Sequence, residues 1–379
     1  MRSTVYFVAN TADGLLNYYR HVIGRLSASG VAIRGYAPQE PESEQLALPS
    51  FSIERVPFLR TTRSPLRLMR AVLQAWRMGR SDPEGVFTLY TVMPHVLYGI
   101  PLRALNRRCV FIMAGTGTIF RSPRLLHRLS RPMATGVYRF LYSGPNSRVV
   151  VQNRDHLHFV RTTLKAPRQN TFLMPGCGVD PARFPFFPQL PRNERKVILV
   201  PARLVRTKGV YEACDASALL LKRGVDHEMW FTHGVDPGSP LSMTAQEIGA
   251  LEQGNKRLRF LGWQPALAPL YEACDIVCLP TYSEGLPSSL LEASACGRPI
   301  VATDVDGCRE VVSHEATGLL APVRSASGLA DALERLIRDP ELGDRLRRNA
   351  YRQFQERFTK EKSASAILPA YRGLGLDVE

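Results

Sequence analysis

The alternation of short apolar strands with helices constrains the fold of this chain more than any other feature. Residues 5–9 read Val-Tyr-Phe-Val-Ala, a strand, and the loop after them contains Gly14. A helix is predicted over about 15–28 and a second strand at 31–36. A strand, a short glycine-containing loop, a helix and another strand form a βαβ unit, which requires a parallel sheet.

The same alternation restarts after a proline-rich stretch. Prolines at 181, 185, 188 and 191 predict a linker between domains. A length of 379 residues suits two domains, and we predict two doubly wound, Rossmann-like α/β domains at 1–185 and 193–355. A C-terminal helix at 356–379 follows, and its return to the first domain is one alternative. Ligands bind beyond the carboxyl ends of such strands, so facing domains would enclose the site in a central cleft.

The net charge of +15 comes from the first half of the sequence. Residues 1–190 contain 25 Lys and Arg against 9 Asp and Glu, an excess of 16, whereas residues 191–379 contain 24 against 25. Such a one-sided field favours a polyanionic partner, which can be nucleic acid, anionic lipid or a phosphorylated substrate. A solvated surface that serves only solubility is the alternative.

The cysteines and the apolar runs indicate a cytosolic protein. The seven cysteines show no metal-ligand spacing, and the first residues do not resemble a secretory signal. We therefore expect reduced thiols in a reducing compartment. The longest uncharged stretch, 85–102, contains Pro94 and His95, and a membrane-spanning helix needs about 20 apolar residues. A strand, a turn and a helix are predicted there instead.

The densest candidate site is the segment 281–292, Thr-Tyr-Ser-Glu-Gly-Leu-Pro-Ser-Ser-Leu-Leu-Glu. It follows an apolar strand and opens a helix, whose N-terminal N–H groups suit a phosphate. The carboxylates of Glu284 and Glu292 would lie on the order of 10 Å apart, comparable to the separation of ribose and hexose in a nucleotide diphosphate-sugar. Each could then accept hydrogen bonds from sugar hydroxyls. A solvent-facing glutamate at each position is the alternative.

Basic residues follow the first strand of the second domain, in Pro-Ala-Arg-Leu-Val-Arg-Thr-Lys-Gly at 201–209. The guanidinium of Arg203 and the ammonium of Lys208 can clamp two phosphates. They can also stabilise the charge that builds on a leaving diphosphate. Two ordinary basic loop residues are the alternative.

These two motifs at their spacing, followed by Gly297-Arg-Pro299 and by Asp-Val-Asp-Gly-Cys-Arg-Glu at 304–310, resemble the family-4 retaining glycosyltransferases of the GT-B fold. The segments 284–292 and 307–312 are similar to the subgroup that extends saccharides on undecaprenyl diphosphate for surface glycans. The resemblance is close in the second half and holds in outline in the first.

The resemblance implies a role for single residues. Arg203 and Lys208 would hold the donor diphosphate and assist its departure, and Glu292 would hold the ribose hydroxyls. Glu284 would bind the transferred sugar near the reacting carbon. The segment Gly285, Leu286, Pro287, Ser288 would offer backbone N–H groups to phosphate and sugar, and Gly14 would let the first loop approach the donor.

Four further residues are weaker candidates. Relatives have a histidine after the strand that begins at Phe111, and Thr116 is the candidate substitute here for its contact to the sugar. His95 is predicted at the end of a first-domain strand. It would be a polar substrate contact or a packed histidine. His233 would border the base or the diphosphate, and Trp263 would flank the base or pack.

The pair Asp304-Val-Asp306 has the spacing that holds a divalent metal in another transferase architecture. Here it follows a second-domain strand as part of a turn. Two cations and a helix N-terminus can neutralise a diphosphate, so we expect no metal site, no cofactor and metal-independent catalysis.

Residues 60–80 predict a basic helix. Its arginines are Arg60, Arg63, Arg67, Arg70, Arg77 and Arg80, and from Arg63 onward their spacing keeps them on one stripe. The apolar residues Leu66, Met69, Val72, Leu73 and Trp76 are predicted to lie on the other side and to pack on the sheet. An anionic membrane surface is the expected partner of the arginines, and a charged outer face without a partner is the alternative.

The sequence thus predicts a retaining hexosyltransferase. The expected donor is a nucleotide sugar, UDP-linked, that carries a hexose or N-acetylhexosamine, and the expected acceptor is a lipid-diphosphate-linked saccharide. The protein would be cytoplasmic and peripheral at the inner face of the membrane. A soluble acceptor, or a nucleotide-sugar epimerase or hydrolase on the same fold, is the alternative. No nucleic-acid partner is expected, because the basic half lacks interleaved aromatics and any nucleic-acid motif.

Overall fold

A computed structural model describes residues 3–38, 51, 53–58, 62, 64–115, 120, 125–235, 239 and 241–378. The chain divides into two compact units. Unit 1 comprises Met1–Cys177 together with Lys360–Glu379, and unit 2 comprises Gly178–Thr359. The boundary between them therefore precedes the proline-rich stretch that the sequence analysis assigned to a linker.

Unit 1 is built on a parallel sheet in the order β3-β2-β1-β4-β5-β6-β7. Its strands are β1 Thr4–Val8, β2 Ala32–Ala37, β3 Ile53–Arg55, β4 Val86–Tyr90, β5 Arg108–Met113, β6 Ser147–Val151 and β7 Thr171–Leu173. Its described helices are α1 Ala12–Ala28, α2 Pro65–Ser81, α3 Val92–Leu97, α4 Gly99–Ala104, α5 Leu125–Tyr142, α6 Arg154–Thr162 and, at the C-terminus, α14 Lys360–Arg372.

Both faces of this sheet are buried. Along β1, Val5 and Phe7 belong to one core cluster and Tyr6 and Val8 to another, because successive side chains of a strand point to opposite faces. Burial on both faces explains why the strand reads as a continuous apolar run. The first cluster also contains residues of α1 and α14, whereas the second contains residues of α2, α4 and α5.

The C-terminal helix α14 belongs to unit 1. The buried hydroxyl groups of Tyr371 and Thr88 lie 2.9 Å apart and share a hydrogen bond, and Arg108 Nη1 donates to the carbonyl of Leu374 at 3.0 Å. The helix before it ends at Arg357, so the returning segment begins at Lys360 and not at 356.

Unit 2 is built on a second parallel sheet, in the order β10-β9-β8-β11-β12-β13. Its strands are β8 Lys196–Val200, β9 His227–Phe231, β10 Leu258–Phe260, β11 Ile276–Leu279, β12 Ile300–Thr303 and β13 Leu319–Ala321. Its described helices are α7 Val210–Lys222, α8 Ala245–Gly254, α9 Ala268–Ala273, α10 Ser288–Ala295, α11 Asp306–Val311, α12 Ala326–Arg338 and α13 Pro340–Arg357.

The proline-rich stretch packs on unit 2 and is not a free linker. Arg347 Nη2 donates to the carbonyl of Pro188 at 2.8 Å. The fully buried guanidinium of Arg298 lies 5.2 Å above the centre of the Phe187 ring. Two buried arginines thus hold a segment whose prolines donate no hydrogen bonds, and the predicted linker lies against unit 2.

Two expectations about local structure were wrong. Helix α1 begins at Ala12, so Gly14 lies in its first turn and not in a loop. In α2 the buried residues are Ala71, Ala75, Met78 and Gly79, and the large apolar side chains that were expected to pack are exposed: Leu66, Met69, Val72, Leu73 and Trp76.

Small residues determine which face of α2 is buried. A Cβ atom at Gly79 would lie only 2.8 Å from the Leu102 side chain of α4, and Arg107 Nε donates to the Gly79 carbonyl at 2.6 Å. The two helices approach closely because this face carries alanine and glycine, and the bulky residues are left on the outside.

The uncharged stretch 85–102 forms β4, α3 and the start of α4, so the strand, turn and helix predicted there were correct. In the part of the chain that the structure describes, every helix is too short or too polar to cross a lipid bilayer.

Candidate functional site

The sheet of unit 2 reverses its winding between β8 and β11. From β8 the chain continues to β9 and β10 on one side, and β11 to β13 lie on the other. Ligands of doubly wound sheets bind beyond the carboxyl ends of the strands at this switch point. The segments that follow β8 and β11 are 201–209 and 280–287, which contain the predicted donor-binding motifs.

Gly209 lets these two segments meet. It follows a single 3₁₀ turn, Arg206–Lys208, and has a φ of 70°, in the left-handed region that glycine tolerates. A Cβ at this position would overlap the Pro280 carbonyl oxygen. The backbone N–H of Tyr282 donates to the Thr207 carbonyl at 2.9 Å, which fixes the lysine-bearing turn against the glutamate-bearing loop.

Lys208 and Glu284 form an ion pair at this junction. The Lys208 ammonium donates to Glu284 Oε1, and both side chains are mostly buried. The sequence analysis assigned one to the donor diphosphate and the other to the transferred sugar. Their direct contact places the two groups where one ligand could touch both.

His233 extends this cluster toward the end of β9. Its Nδ1 lies 2.9 Å from Thr232 Oγ1. Burial lowers the pKa of His233, and the positive charges of Arg203 and Lys208 lower it further. The His233 side chain therefore lies close enough to Arg203 and Lys208 for their charges to act on it.

Trp263 lies beside the same strand end. Its backbone nitrogen would be 3.8 Å from a Cβ at Gly234, and the residue is 72 % exposed. Trp263 is thus not packed in the core, which leaves a contact to the base or packing on the surface as its predicted roles.

The loop from Glu284 to Pro287 leads into α10. Pro287 is the residue directly before the helix, and its carbonyl accepts the N–H of Leu290 at 3.2 Å. A Cβ at Gly307, in α11, would lie 2.7 Å from the carbonyl oxygens of Glu284 and Gly285. The glycine at 307 thus lets the turn after β12 close on the loop that contains the predicted backbone donors.

Glu292 lies on α10 and is hydrogen-bonded by a residue that the sequence analysis did not identify. The Tyr271 hydroxyl on α9 donates to Glu292 Oε2 at 2.9 Å. Burial raises the pKa of Glu292 to about 7, against the opposing effects of the Tyr271 hydrogen bond and the Arg183 charge. A partly buried carboxylate with an engaged partner argues against the predicted alternative of a solvent-facing glutamate.

Asp304 and Asp306 contact a guanidinium. Arg309 Nη1 donates to Asp304 Oδ1 at 2.7 Å, and Arg309 Nη2 donates to Asp306 Oδ1 at 2.6 Å. Both carboxylates thus serve a local ion pair at the start of α11. In the described ranges no three His, Cys, Asp or Glu side chains are grouped as metal ligands.

The candidates of unit 1 are not grouped in the same way. His95, on α3, is 1 % exposed. Its Nε2 lies 2.9 Å from the Leu89 carbonyl oxygen and its Nδ1 lies 3.2 Å from the Tyr142 hydroxyl. Burial lowers its pKa to about 4. Because both ring nitrogens are engaged in the core, His95 is the packed histidine and not a substrate contact.

Gly14 is helical, as described above, and Thr116 lies outside the described residues. The structure therefore groups Arg203, Lys208, His233 and Glu284 in unit 2, adjacent to Glu292 on the helix that follows.

Comparison with known proteins gives matches to the second half of the chain and to the whole fold. Residues 183–353 match the family model of the glycosyl transferases group 1. A similar curated protein is N,N'-diacetylbacillosaminyl-diphospho-undecaprenol alpha-1,3-N-acetylgalactosaminyltransferase of Campylobacter jejuni, with 27 % identity over 63 % of this chain and 64 % of the relative. The chain thus spans slightly less than two thirds of that relative's length.

Several solved structures match nearly the whole chain. Sucrose-phosphate synthase from Thermosynechococcus elongatus has a TM-score of 0.81 at 21 % identity and covers 99 % of both chains. The Anabaena protein HepE, solved in complex with UDP and glucose, has a TM-score of 0.74 at 17 % identity and covers 98 % of this chain and 100 % of its own.

The chain thus has the GT-B fold that the sequence predicted. The similarity to the glycosyl transferases group 1 covers most of unit 2, the part of the chain whose motifs resemble that family.

Proposed function

We propose that the protein transfers a hexose or N-acetylhexosamine, with retention of anomeric configuration, from a UDP-linked sugar to a saccharide on a lipid diphosphate. The observation that carries the proposal is the contact of Lys208 with Glu284 beside Arg203, at the switch point of unit 2. A cation that would bind the diphosphate and a carboxylate that would bind the sugar are then neighbours in one site.

The donor diphosphate would bind between the cations and the N-terminus of α10. Arg203 supplies a planar guanidinium and Lys208 a point charge, and the helix N-terminus favours anions. The same groups would stabilise the negative charge that develops on the leaving UDP. In this proposal no divalent metal is required. The UDP bound to HepE supports the choice of uridine.

Binding of the donor would rearrange the Lys208–Glu284 pair. The ammonium would turn to the phosphate, and the carboxylate would accept a hydroxyl of the transferred sugar. We propose that the acceptor attacks on the face from which UDP departs, and that the departing phosphate removes the acceptor proton. This route accounts for retention without a covalent enzyme intermediate.

The acceptor assignment is supported by the Campylobacter jejuni relative, whose name specifies a diphospho-undecaprenol saccharide. A lipid-linked acceptor would be presented at a membrane, and unit 1 has two helical surfaces suited to an anionic bilayer. On α2, Leu66 and Met69 are 63 % and 54 % exposed and lie on the same helix as Arg70 and Arg77.

The second surface is on α5, whose arginines were not singled out by the sequence analysis. Leu125, Leu129 and Met133 are spaced four residues apart on one helical stripe and are about 70 % exposed. The exposed Arg128 lies on the same helix, and residues 85–154 contain no Asp or Glu. Apolar side chains flanked by arginines favour shallow binding at an anionic lipid surface.

Calorimetry with UDP, GDP, ADP and their sugars tests the donor proposal. We expect UDP to bind best, and the variant Arg203→Ala with Lys208→Ala to lose about 100-fold or more in affinity, since two charge-assisted contacts are removed. The matched control is Arg192→Ala with Lys256→Ala, exposed cations that precede β8 and β10 at the amino ends of the strands. Unchanged UDP binding by the first variant would contradict the proposed site.

A further inference from the structure

The Tyr271 hydroxyl connects two helices of unit 2. It lies 2.9 Å from Glu292 Oε2 and 3.0 Å from the Ser289 carbonyl oxygen. The hydroxyl has a single proton, and both acceptors belong to α10, whereas Tyr271 belongs to α9. The tyrosine thus contacts the first turn of α10 and the carboxylate that follows it.

The tyrosine itself has little freedom to move. It is fully buried, and its ring meets the Phe184 ring edge-on, with centroids 5.9 Å apart and an interplanar angle of 78°. The Cys274 thiol donates to its backbone carbonyl at 3.5 Å. A rigid donor fixes the direction of its acceptor more firmly than a mobile one.

One carboxylate oxygen of Glu292 is thereby committed. A carboxylate has about four lone-pair sites on two oxygens, and the Tyr271 hydroxyl occupies one of those on Oε2. The remaining sites, including those on Oε1, are left for a ligand hydroxyl. Because rotation of the carboxylate would break the hydrogen bond, these sites are held in one direction.

We propose that Tyr271 is a positioning residue for the donor: its hydroxyl holds the Glu292 carboxylate in the orientation that accepts hydrogen bonds from the ribose. This inference rests on the ribose role proposed for Glu292. It adds a residue that acts through Glu292 and does not itself touch the nucleotide.

The electrostatic surroundings of Glu292 also support a positioning role for Tyr271. The groups that act on Glu292 are Tyr271 on α9, Arg183 in the segment before β8, and Cys296 directly after α10. Burial raises the pKa of Glu292 to about 7, and the Tyr271 hydrogen bond opposes this rise. Without the hydroxyl the pKa of Glu292 would be higher, and more of the protein would carry the protonated form at neutral pH.

The test is UDP affinity measured by calorimetry from pH 5.5 to 8.5 on the full chain. The ionised form of Glu292 offers acceptor sites on both oxygens, whereas protonation turns one oxygen into a donor and removes the charge. Wild-type affinity should therefore fall as pH drops through the pKa of Glu292. Tyr271→Phe should bind UDP about tenfold more weakly at pH 7, and the midpoint of its pH profile should move to higher pH.

Two variants make the result interpretable. Tyr371→Phe removes an equally buried hydroxyl, in unit 1, and should leave both affinity and midpoint unchanged. Glu292→Gln should lose affinity, and the pH dependence that remains should be that of the terminal phosphate of UDP, whose second pKa is about 6. In the Glu292→Gln background the change Tyr271→Phe should have no further effect, because it acts through the carboxylate.

Each other outcome contradicts a different statement. If Glu292→Gln binds UDP like the wild type, the ribose role of Glu292 is wrong, and the inference about Tyr271 fails with it. If Glu292→Gln loses affinity while Tyr271→Phe keeps both affinity and midpoint, only the positioning role is wrong. A weaker Tyr271→Phe variant with an unchanged midpoint would show a merely structural tyrosine and would also overturn the proposal.

Discussion

The two units differ in the balance and the pairing of their charged residues. In unit 2 acids and bases are balanced and form specific pairs: Lys208 contacts Glu284, and Arg309 contacts Asp304 and Asp306. In the first 190 residues 25 basic residues face 9 acidic ones, and two helices of unit 1 combine arginines with exposed apolar side chains. Paired charges define a site for one ligand, whereas unbalanced charge defines a surface. Changes in one unit should therefore leave the function of the other intact.

The largest expected effect concerns the paired carboxylate. We expect Glu284→Gln to lower turnover by about 100- to 1,000-fold, as removal of a group that acts near the reacting carbon does. UDP affinity should change less than about threefold, because the carboxylate is assigned to the sugar and not to the diphosphate. Steady-state kinetics and calorimetry measure the two effects separately.

The control for that variant is Glu341→Gln, an exposed glutamate in the first turn of α13, which should keep full turnover. If Glu284→Gln retains turnover, the carboxylate serves only the ion pair with Lys208. The Lys208–Glu284 pair of unit 2 would then be a structural ion pair and not part of a catalytic site.

The second effect concerns the basic surface. Flotation with phosphatidylglycerol vesicles at low salt should be lost on changing Arg67, Arg70 and Arg77 to Glu, since each basic residue near an anionic leaflet contributes about 1 kcal/mol. High salt should weaken the wild-type interaction. UDP affinity should be unchanged, because the proposed donor site is in unit 2.

An equal change of charge in unit 2 provides the comparison. Arg192, Arg345 and Arg352 are exposed there, and their replacement by Glu should leave flotation nearly as strong as in the wild type. Equal loss in both triple variants would reduce the membrane proposal to an effect of net charge. A wild type that ignores anionic vesicles would favour a soluble acceptor.

A smaller effect sharpens the role of α5. Leu129 and Met133 are 69 % and 72 % exposed, so replacing both by Ser should change the free energy of unfolding by less than about 1 kcal/mol. Vesicle binding should nevertheless weaken severalfold. A large drop in the melting temperature, measured by calorimetry, would show instead that these side chains are packed.

Removal of divalent metal ions by a chelator is expected to leave turnover unchanged. Because cations and a helix N-terminus are proposed to neutralise the diphosphate, turnover should be the same in EDTA as in Mg²⁺. Loss of activity in EDTA, with recovery on addition of Mg²⁺ or Mn²⁺, would make Asp304 and Asp306 ligands in place of partners of Arg309.

The sequence predicted the donor motifs of unit 2 because strand ends are informative. Once β8 and β11 are recognised as neighbours in a parallel sheet, the residues after them must lie at one edge, which brings Lys208 to Glu284. The sequence did not indicate a role for Tyr271, because a tyrosine in a short apolar helix has the pattern of an ordinary core residue. Only the structure shows which acceptor its hydroxyl reaches.

The wrong predictions arose where one pattern is compatible with two structures. A histidine after a strand can face a ligand or the core, and His95 faces Phe111 and Tyr142. The apolar stripe of α2 has the periodicity of a buried face, but the buried residues of α2 are Ala71, Ala75, Met78 and Gly79, and Gly79 lies against Leu102 of α4. Hydrophobicity alone did not reveal that small residues would determine the packing.

The central claim, retaining transfer from the donor held in unit 2, is tested most directly by the configuration of the product. The full chain would be incubated with α-linked UDP-N-acetylhexosamine and a short polyprenyl-diphosphate saccharide, and the new linkage would be assigned by NMR from its anomeric coupling. We predict an α-linked product that is absent with Arg203→Ala and Lys208→Ala. A β-linked product would contradict retention and would require a general base, a role that is assigned to none of the site residues described above.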